Sequence, residues 1–568
     1  MANLSQLRRQ RMLAFLEKMR EQHKDDDEVL SAINEVENEI NEKKYGLVWE
    51  EHSEEVEERM VDEVPIFVED KDKEITMTGN GYNFLLEGDN LHSLHLLEKT
   101  HKEKIDVIYI DPPYNTGNGD FIYDDKDKFV GSDDAFRHSK WLSFMSRRLR
   151  IAKNLLSNEG AIFISIGEQE IGNLRVLCDN IFGESNFLGC VARRTQNGVN
   201  NKAVYFSPTK DYLLAYGKCE STPRFYIDVA IDKEKYNLVE TEDVEHMGMK
   251  YMLGESLYKT GLIGDRPNSV FEIVCPDGEI IRPPEGKHFK WSEKRFKSEY
   301  DPERGVNRLI FKKTRKSALV QRDGSPSNWN VYEKKYLDDG ATHQQKIQSD
   351  LLIDSIYTNT VATKETRDTG VDFDYPKPTS IIKFLAELTH TKNGIILDFF
   401  AGSGTTGQAV LELNKEDGGN RHFILCTNNE NSICENVTYQ RIKTVMTGIR
   451  QDGSKYSEGI PADLKYYRTD FIPKRNDNLA NDLIAHIDEM IQLEYGVKID
   501  KEKYISILSD EDADELEKNW ANYPNIKAIY ISRSVLLTGK QRELFETHDC
   551  FTIPDYYFRE ELREAGEA

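Results

Sequence analysis

Several features that would place this chain in a common protein class are absent from its 568 residues. No run of about 18 apolar residues occurs, which argues against a membrane-spanning helix. The N-terminal stretch lacks the apolar core and the small-residue cleavage site of a secretory signal, so we expect a cytoplasmic protein. The seven cysteines are scattered and never form C-x-x-C, which argues against a disulfide framework and against a structural zinc site.

Motifs of several enzyme classes are missing as well. The sequence contains no H-E-x-x-H zinc motif, no G-x-S-x-G nucleophile elbow and no Walker-type phosphate loop, so we expect no ATP hydrolysis by that route. No nuclease motif is present either. His92 and His95 are spaced for one face of a helix, but we expect exposed helix residues there and no metal.

Charge is abundant but unevenly distributed along the chain. The net charge is −25, and residues 25–63 hold sixteen acidic against three basic residues, a local charge of −13. Residues 282–322 hold thirteen basic against five acidic residues, a local charge of +8, and are interleaved with aromatics such as Phe289 and Trp291. Because phosphate binding depends on local charge, an acidic protein can still present a basic surface to nucleic acid.

The chain length corresponds to roughly three or four domains. Residues 4–44 carry apolar side chains at three- and four-residue spacing, which predicts two helices. Two interpretations remain open for them, a helical hairpin packed on the body and a dimerisation arm. Residues 50–74 are acidic and have little periodicity, so we expect a solvated linker in which only the apolar patch at 64–68 docks.

An α/β pattern begins near residue 76. Apolar runs at 105–110, 160–166 and 211–216 predict buried strands, and apolar spacing over 136–156 predicts a helix. Strands that alternate with helices favour a parallel, doubly wound sheet.

The pattern fades after residue 220 and returns at 366, with strands at 395–397 and 422–426 and a helix at 406–413. The predicted regions are a helical N-terminal region with its acidic linker (1–75), a first half of the α/β core (76–220), an inserted domain (221–365), a second half of the core (366–469) and a small α/β C-terminal domain (470–568).

A short motif directly follows the strand that ends at Ile110. It reads Asp111-Pro112-Pro113-Tyr114-Asn115-Thr116-Gly117. Ligands of open α/β sheets bind at the carboxyl ends of the strands, and the prolines fix the backbone there. A carboxylate and the Pro112 carbonyl can accept hydrogen bonds from an exocyclic amine, and the Tyr114 ring can stack on a base. Such acceptors restore lone-pair density to an amine nitrogen, which can then attack an electrophilic methyl group.

A glycine-rich loop follows the strand at 395–397 and opens the next helix. It reads Asp398-Phe399-Phe400-Ala401-Gly402-Ser403-Gly404-Thr405-Thr406. Its glycines let the backbone approach a ligand at a helix N-terminus, although its spacing matches neither a dinucleotide-binding nor a P-loop motif. Together the two motifs supply a cofactor loop and an amine-activating site.

This pair resembles the beta class of DNA amino-methyltransferases, which use S-adenosylmethionine. In that class the catalytic half comes first, then a target-recognition domain, then the cofactor half, and the insert at 221–365 falls where the recognition domain would lie. Further segments at 86–91, 375–379, 486–492 and 553–558 make the whole chain similar to the Mod subunits of type III restriction-modification systems. The resemblance implies a Rossmann-like fold with permuted motif order and adenine-N6 methylation of duplex DNA by base flipping.

The resemblance also implies site residues and partners. The residues that it places at the flipped adenine are Asp111, Pro112, Pro113 and Tyr114. The residues that it places at S-adenosylmethionine are Asp89, Lys377, Pro378, Thr379, Asp398, Phe400, Gly402, Gly404, Thr405 and Glu430. The implied partners are duplex DNA, a second copy of the chain and a helicase-endonuclease (Res) subunit, with no membrane and no metal.

The sequence departs from the family at the ribose of the cofactor. Related enzymes usually end the strand after the glycine loop with an acidic residue that holds the ribose hydroxyls. Here that strand runs into Thr427-Asn428-Asn429, with Glu430 beyond. Either an asparagine or Glu430 takes this role, or another element does.

Three other functions remain open from the sequence. The chain could be a solitary methyltransferase without a restriction partner. It could modify another amine, such as cytosine N4, an RNA base or a protein amide, although aspartate at position 111 disfavours these. It could also serve chiefly as a specificity and assembly subunit that binds DNA and a motor partner.

Overall fold

The computed structural model describes residues 4–22, 29–30, 32–34, 36–37, 49–122, 129–131, 134–199, 204–259, 267–315, 317–337, 343–499 and 502–567. The chain forms two compact units. One consists of Met1–Phe225 with Ser349–Ala568, and the other of Tyr226–Gln348. Among the described helices, none combines the length and the apolar character needed to cross a bilayer.

The first unit is built on a ten-stranded sheet. Its strands in chain order are β1 (Glu63–Glu69), β2 (Tyr82–Glu87), β3 (Ile105–Ile110), β4 (Leu156–Ile166), β5 (Phe187–Arg194), β6 (Lys210–Gly217), β7 (Leu351–Leu352), β8 (Asn393–Asp398), β9 (Asn420–Thr427) and β10 (Asp463–Pro473). Their order across the sheet is β1-β10-β2-β9-β8-β3-β4-β6-β5-β7.

The helices with described bounds are α1 (Leu4–Gln22), α2 (Glu55–Asp62), α3 (Asn90–His101), α4 (Arg137–Leu155), α5 (Ile171–Phe182), α6 (Glu293–Glu299), α7 (Asn359–Asp368), α8 (Thr379–Leu388), α9 (Thr405–Asp417), α10 (Tyr439–Thr447), α11 (Leu479–Ile484), α12 (Ile487–Tyr495), α13 (Asp510–Lys518), α14 (Gly539–Phe545) and α15 (Asp555–Glu564). All belong to the first unit except α6.

The six strands from β10 through β2, β9, β8 and β3 to β4 run parallel. In β3 every residue except Asp106 is buried, as expected for a parallel strand covered on both faces. The predicted α/β fold with a Rossmann-like core is therefore confirmed. The prediction of a parallel strand at 211–216 is wrong, because β6 runs antiparallel to β4 and forms a hairpin with β5.

The sheet brings the two sequence motifs together. Strand β8, which comes late in the chain, lies between β9 and β3. Leu397 of β8 pairs with Ile108 of β3 in a parallel register, so the loops that follow these strands leave the same edge of the sheet. The site therefore lies where the chain order of the strands reverses, the usual ligand position in an open α/β sheet.

The predicted acidic linker is largely structured. Docking of the patch at 64–68 is confirmed, because Val64, Ile66 and Phe67 of β1 are buried where β1 pairs with β10. The prediction of a solvated linker for the rest is wrong, because helix α2 precedes β1 and the Glu54 side chain is buried. Two arginines of α4 contact the Glu54 carboxylate, which compensates its buried charge.

Two further predictions concern helices near the N-terminus. His92 in α3 is buried, and its Nε2 lies 2.9 Å from the Val56 carbonyl oxygen, so the prediction that it is exposed is wrong. Much of the second helix predicted within 4–44 lies outside the described residues. In its described part, Glu37 pairs with Arg20 of α1 at 2.7 Å. Dimerisation through this region stays a prediction.

The second unit, Tyr226–Gln348, has its own hydrophobic core and a four-stranded antiparallel sheet. The strands of this sheet are Leu238–Val239, Lys250–Ser256, Leu309–Lys313 and Trp329–Tyr336. Phe289 and Trp291 lie in the core, so these aromatics of the basic run pack inside the unit. Several of the cations are also neutralised locally, as in the pair of Lys313 with Asp277 at 2.9 Å. DNA binding by this unit stays a prediction.

The C-terminal part of the first unit adds a second, smaller sheet. Three parallel strands form it, in the order Tyr504–Ile507, Ala528–Ser532 and Asp549–Ile553. The sequence predicts a strand at 526–531, and the structure places one at Ala528–Ser532.

Candidate active site

A cavity of about 1020 Å³ opens where β3 and β8 end. Its lining includes Asp111, Pro112, Pro113 and Tyr114 from the loop after β3 and Phe400 and Gly402 from the loop after β8. It also includes Asp89, Lys377 and Glu430, so the cavity collects most of the residues expected from the sequence.

Hydrogen bonds with neighbouring elements fix the loop after β3, residues 111–117. The Trp141 indole donates to the Pro113 carbonyl at 2.8 Å. Asn115 has a φ of +56°, and its amide donates to the buried carboxylate of Glu170 at 2.6 Å. The hydrogen bond from Trp141 therefore fixes the backbone at Pro113.

The two oxygens of the Asp111 carboxylate have different surroundings. Lys377 donates from Nζ to Oδ2 at 2.5 Å. The other oxygen, Oδ1, is buried and receives no hydrogen bond from any described residue. A buried carboxylate oxygen normally has a donor, so this atom marks a place for a donor that the described residues do not supply.

Tyr114 is fixed by a buried ion pair. Its hydroxyl donates to Asp211 Oδ2 at 3.2 Å, and burial raises its pKa well above the usual range. Arg193 grips Asp211 with two hydrogen bonds, of 2.7 and 2.5 Å, and also donates to the Tyr357 carbonyl at 2.7 Å. A Cβ at Gly167 would lie 2.9 Å from the ring, so glycine is required at that position for the observed ring placement. The ring is thus oriented before any ligand arrives.

Hydrogen bonds to a buried carboxylate stabilise the glycine loop, residues 398–406. Asp398 is buried and accepts hydrogen bonds from the Phe400 amide at 3.0 Å and the Thr406 hydroxyl at 2.5 Å. Burial raises the pKa of Asp398 to about 7. Gly402 and Gly404 adopt φ values of +47° and +76°, the left-handed region that disfavours other residues.

Five of the expected cofactor residues do not line the cavity, namely Pro378, Thr379, Asp398, Gly404 and Thr405. The Thr379 hydroxyl donates to Glu365 at 3.0 Å. The Thr405 hydroxyl donates to the Lys377 carbonyl at 3.0 Å and receives a 2.9 Å hydrogen bond from the buried Arg441. These side chains satisfy the ends of helices and the loop backbone, so we expect them to shape the cavity rather than contact a ligand.

Lys377 lies on the cavity wall, and its expected contact with the cofactor stays a prediction. Its ammonium contacts Asp111 and lies 5.0 Å from the centre of the Tyr114 ring. It therefore joins the segment before α8 to the loop after β3.

The cavity lining also includes residues expected at the adenosine. Asp89 caps α3, with its Oδ1 accepting from the Leu91 amide at 2.7 Å, and lies 3.3 Å from Arg148. Asn428 and Glu430 line the cavity. Asn429 turns away and donates to Glu87 at 3.1 Å. Among the residues considered for the ribose, Asn428 and Glu430 are thus the two on the cavity wall.

Sequence reasoning missed several residues of the site. Glu54 lies on the cavity wall and accepts from Arg148 Nη1 at 2.9 and 3.0 Å, but nothing distinguishes it from its acidic neighbours in the sequence. The signal that identifies Arg193 and Asp211 is their pairing across the hairpin formed by β5 and β6. That signal requires the strand register, which the sequence does not give.

Comparison with known proteins shows the family of the chain. The family model N6_N4_Mtase, described as DNA methylase, matches residues 105–440. The chain is 34% identical to the type II methyltransferase M.KpnI of Klebsiella pneumoniae over 68% of this chain and 90% of that protein.

Two further relatives are named as Mod subunits of type III restriction-modification enzymes. The chain is 31% identical to StyLTI Mod of Salmonella typhimurium, over 64% of this chain and 56% of that protein. It is 30% identical to EcoPI Mod of Escherichia phage P1, over 71% of this chain and 66% of that protein. The alignments thus span less than two thirds of either Mod subunit. The resemblance to Mod subunits predicted from the sequence is confirmed, and the chain belongs to the N6_N4 family of DNA methylases.

Proposed function

We propose that this chain transfers a methyl group from S-adenosylmethionine to N6 of an adenine flipped out of duplex DNA. The observation that carries this proposal is the Asp111 carboxylate, with one oxygen held by Lys377 and the other buried without a described donor. An exocyclic amine is a donor of the required kind. The oriented ring of Tyr114 beside it offers a stacking surface for the base.

The residues of the loop after β3 would activate the amine. Asp111 Oδ1 and the Pro112 carbonyl would accept its two hydrogens, which draws the nitrogen toward a tetrahedral shape and restores its lone pair. Lys377 holds Asp111 in place while this happens. The proton released from the amine would leave to Asp111 or to water.

The rest of the cavity wall fits S-adenosylmethionine, which supplies an electrophilic methyl group when bound. Gly402 lies on this wall and has no side chain, so its backbone can be approached closely by a ligand. Phe400 and Gly402 would hold the methionine part, Asp89 would lie near the adenine, and Asn428 or Glu430 would hold the ribose hydroxyls. Acidic groups on this wall suit a cationic ligand.

We further propose that the chain works as the modification and specificity subunit of a type III system in the cytoplasm. The relatives named as Mod subunits support this role. The unit Tyr226–Gln348, which lies within the range of the family match, would read the DNA sequence. A second copy of the chain and a helicase-endonuclease subunit would be its protein partners.

Product analysis tests the proposal directly. The full-length chain is incubated with labelled S-adenosylmethionine and DNA from a methylation-free host, and the nucleosides are identified by mass spectrometry. We expect N6-methyladenine from the wild type and none from Asp111→Ala, with cofactor binding by equilibrium dialysis unchanged. N4-methylcytosine as the product, or full activity of Asp111→Ala, would contradict the proposal.

A further inference from the structure

A hairpin loop stands at the rim of the cavity. Strands β5 and β6 pair antiparallel up to Arg194 and Lys210. Beyond them the Thr195 amide donates to the Thr209 carbonyl at 2.8 Å, which closes the base of the loop. Residues 200–203 within the loop lie outside the described part of the chain.

The second half of this loop, which leads into β6, carries apolar and exposed side chains. Val204, Tyr205 and Phe206 are 84%, 91% and 95% exposed, and they are the three most exposed large hydrophobic side chains among the described residues. A single exposed apolar side chain is ordinary, but three consecutive ones, two of them aromatic, indicate a surface that meets a partner.

The position of the loop indicates that its partner is the molecule that delivers a ligand to the cavity. Thr195 and Pro208, at its two ends, line the cavity that contains Asp111, as do Lys210 and Asp211 of β6. Any molecule that delivers a base to Asp111 must therefore pass close to the loop.

The charge of the segment identifies the chemistry of the partner. From Arg193 to Lys210 the sequence has four basic residues and no acidic residue, in a chain whose net charge is −25. Arg193 is engaged by the buried Asp211, and the cations of Arg194 and Lys210 flank the loop at its two ends. Aromatic side chains flanked by cations suit duplex DNA, because cations contact phosphates and apolar wedges enter between base pairs.

We propose that Tyr205 and Phe206 insert into the duplex beside the target adenine and fill the space that the flipped base leaves. This inference rests on the proposed function, since it needs a base to leave the stack. Extrusion loses the stacking of the target base, and an aromatic side chain replaces part of that stacking. The hairpin places this wedge beside the cavity that receives the base.

The test compares two duplexes that contain the sequence methylated by the wild type. In one the target adenine is paired with thymine, and in the other it is mispaired and therefore easier to extrude. For the double variant Tyr205→Ala/Phe206→Ala we expect kcat/KM to fall about 10- to 100-fold on the paired duplex and far less on the mispaired one. Fluorescence of 2-aminopurine at the target position should rise with the wild type and stay low with the variant.

Two control variants sharpen the test. Tyr205→Phe keeps the ring and should behave like the wild type. Leu536→Ala removes another side chain that is 80% exposed and should leave both duplexes unaffected.

Three results would overturn the inference. Equal activity of the double variant and the wild type on the paired duplex would remove the role of the wedge. A change in oligomeric state of the variant by light scattering, with equal losses on both duplexes, would assign the loop to contact with a second copy of the chain. Absence of methyl transfer by the wild type to either duplex would refute the proposed function and this inference with it.

Discussion

The two loops that meet at the cavity offer it different chemical groups. The loop after β3 points side chains inward, with the carboxylate of Asp111 and the ring of Tyr114 on the cavity wall. The loop after β8 turns its polar side chains away, since Asp398 and Thr405 are buried and hydrogen-bonded within the protein. The groups that this loop offers to a ligand are therefore its backbone and the ring of Phe400.

This difference separates two tasks on one sheet edge. Side chains placed by prolines and buried hydrogen bonds can activate a reacting atom, because their positions are fixed before the ligand arrives. A bare backbone at glycines can approach a ligand closely and gains little from any particular side chain. Substitutions in the loop after β3 should therefore lower the rate of methyl transfer. Substitutions in the glycine loop should lower the affinity for the cofactor.

The largest expected effect is on the loop after β3. Asp111→Asn keeps the shape of the side chain but replaces one acceptor oxygen with a donor group. We expect kcat to fall by about 100-fold or more, because hydrogen-bond acceptors at the amine act mainly in the transition state. Single-turnover methylation measures the rate, and equilibrium dialysis should show cofactor affinity within about threefold of the wild type. A matching loss of cofactor affinity would erase the distinction between the loops.

The second effect is on the glycine loop. Gly402→Ala forces a side chain into a left-handed conformation and to within 3.2 Å of the Phe373 ring. Cofactor affinity should fall at least about tenfold, since the loop must shift away from its ligand. Gly418→Ala is the matched control, because Gly418 also has a positive φ of +68° but open space around its Cβ position. It should lower only the thermal stability, and equal losses of affinity in both variants would argue against close approach at Gly402.

The third effect separates orientation from stability. Arg193→Met removes the partner of the buried Asp211, which in turn holds the Tyr114 hydroxyl. We expect the free energy of unfolding to drop by about 3 to 5 kcal/mol and kcat by about tenfold. The double variant Arg193→Met/Asp211→Leu should recover stability in urea melts without recovering kcat. Recovery of both would mean that the pair serves the fold alone.

The smallest effect concerns Asp398, whose pKa burial raises to about 7 from an ordinary value of 3.8. A raised pKa favours the folded state fully at pH values below the unfolded pKa, and this contribution disappears as the pH rises through about 7. Between about pH 6 and about pH 8 the free energy of unfolding should fall by about 1 kcal/mol more in the wild type than in Asp398→Asn. Denaturant melts at the two pH values measure this difference, and parallel pH profiles would contradict it.

Much of this site could be predicted from the sequence because the essential groups are contiguous in it. Strand β3 has the predicted bounds of 105–110, and the motif that follows it lines the cavity. That the two motifs lie side by side could be predicted because their order in the chain resembles that of a known enzyme class. The hydrophobic periodicity alone did not predict it. The roles of individual polar residues in the glycine loop did not follow, because a buried and an exposed hydroxyl look alike in a sequence.

Other features depend on tertiary contacts that no local pattern encodes. Glu54 lies in a run of acidic residues, and only its contact with Arg148 distinguishes it. The antiparallel direction of β6 depends on the hairpin with β5, whose connecting loop is long and has no short turn signal. Phe289 and Trp291 read as a DNA-binding feature beside basic residues, yet they fill the core of the second unit.

The most direct test of the account is single-molecule sequencing of DNA from a methylation-free host that expresses this chain or its Asp111→Ala variant. We expect N6-methyladenine at one short, non-palindromic motif, on one strand, with the wild type only. Methylcytosine, marks shared by both versions, or unmodified DNA from a folded and cofactor-binding chain would contradict it.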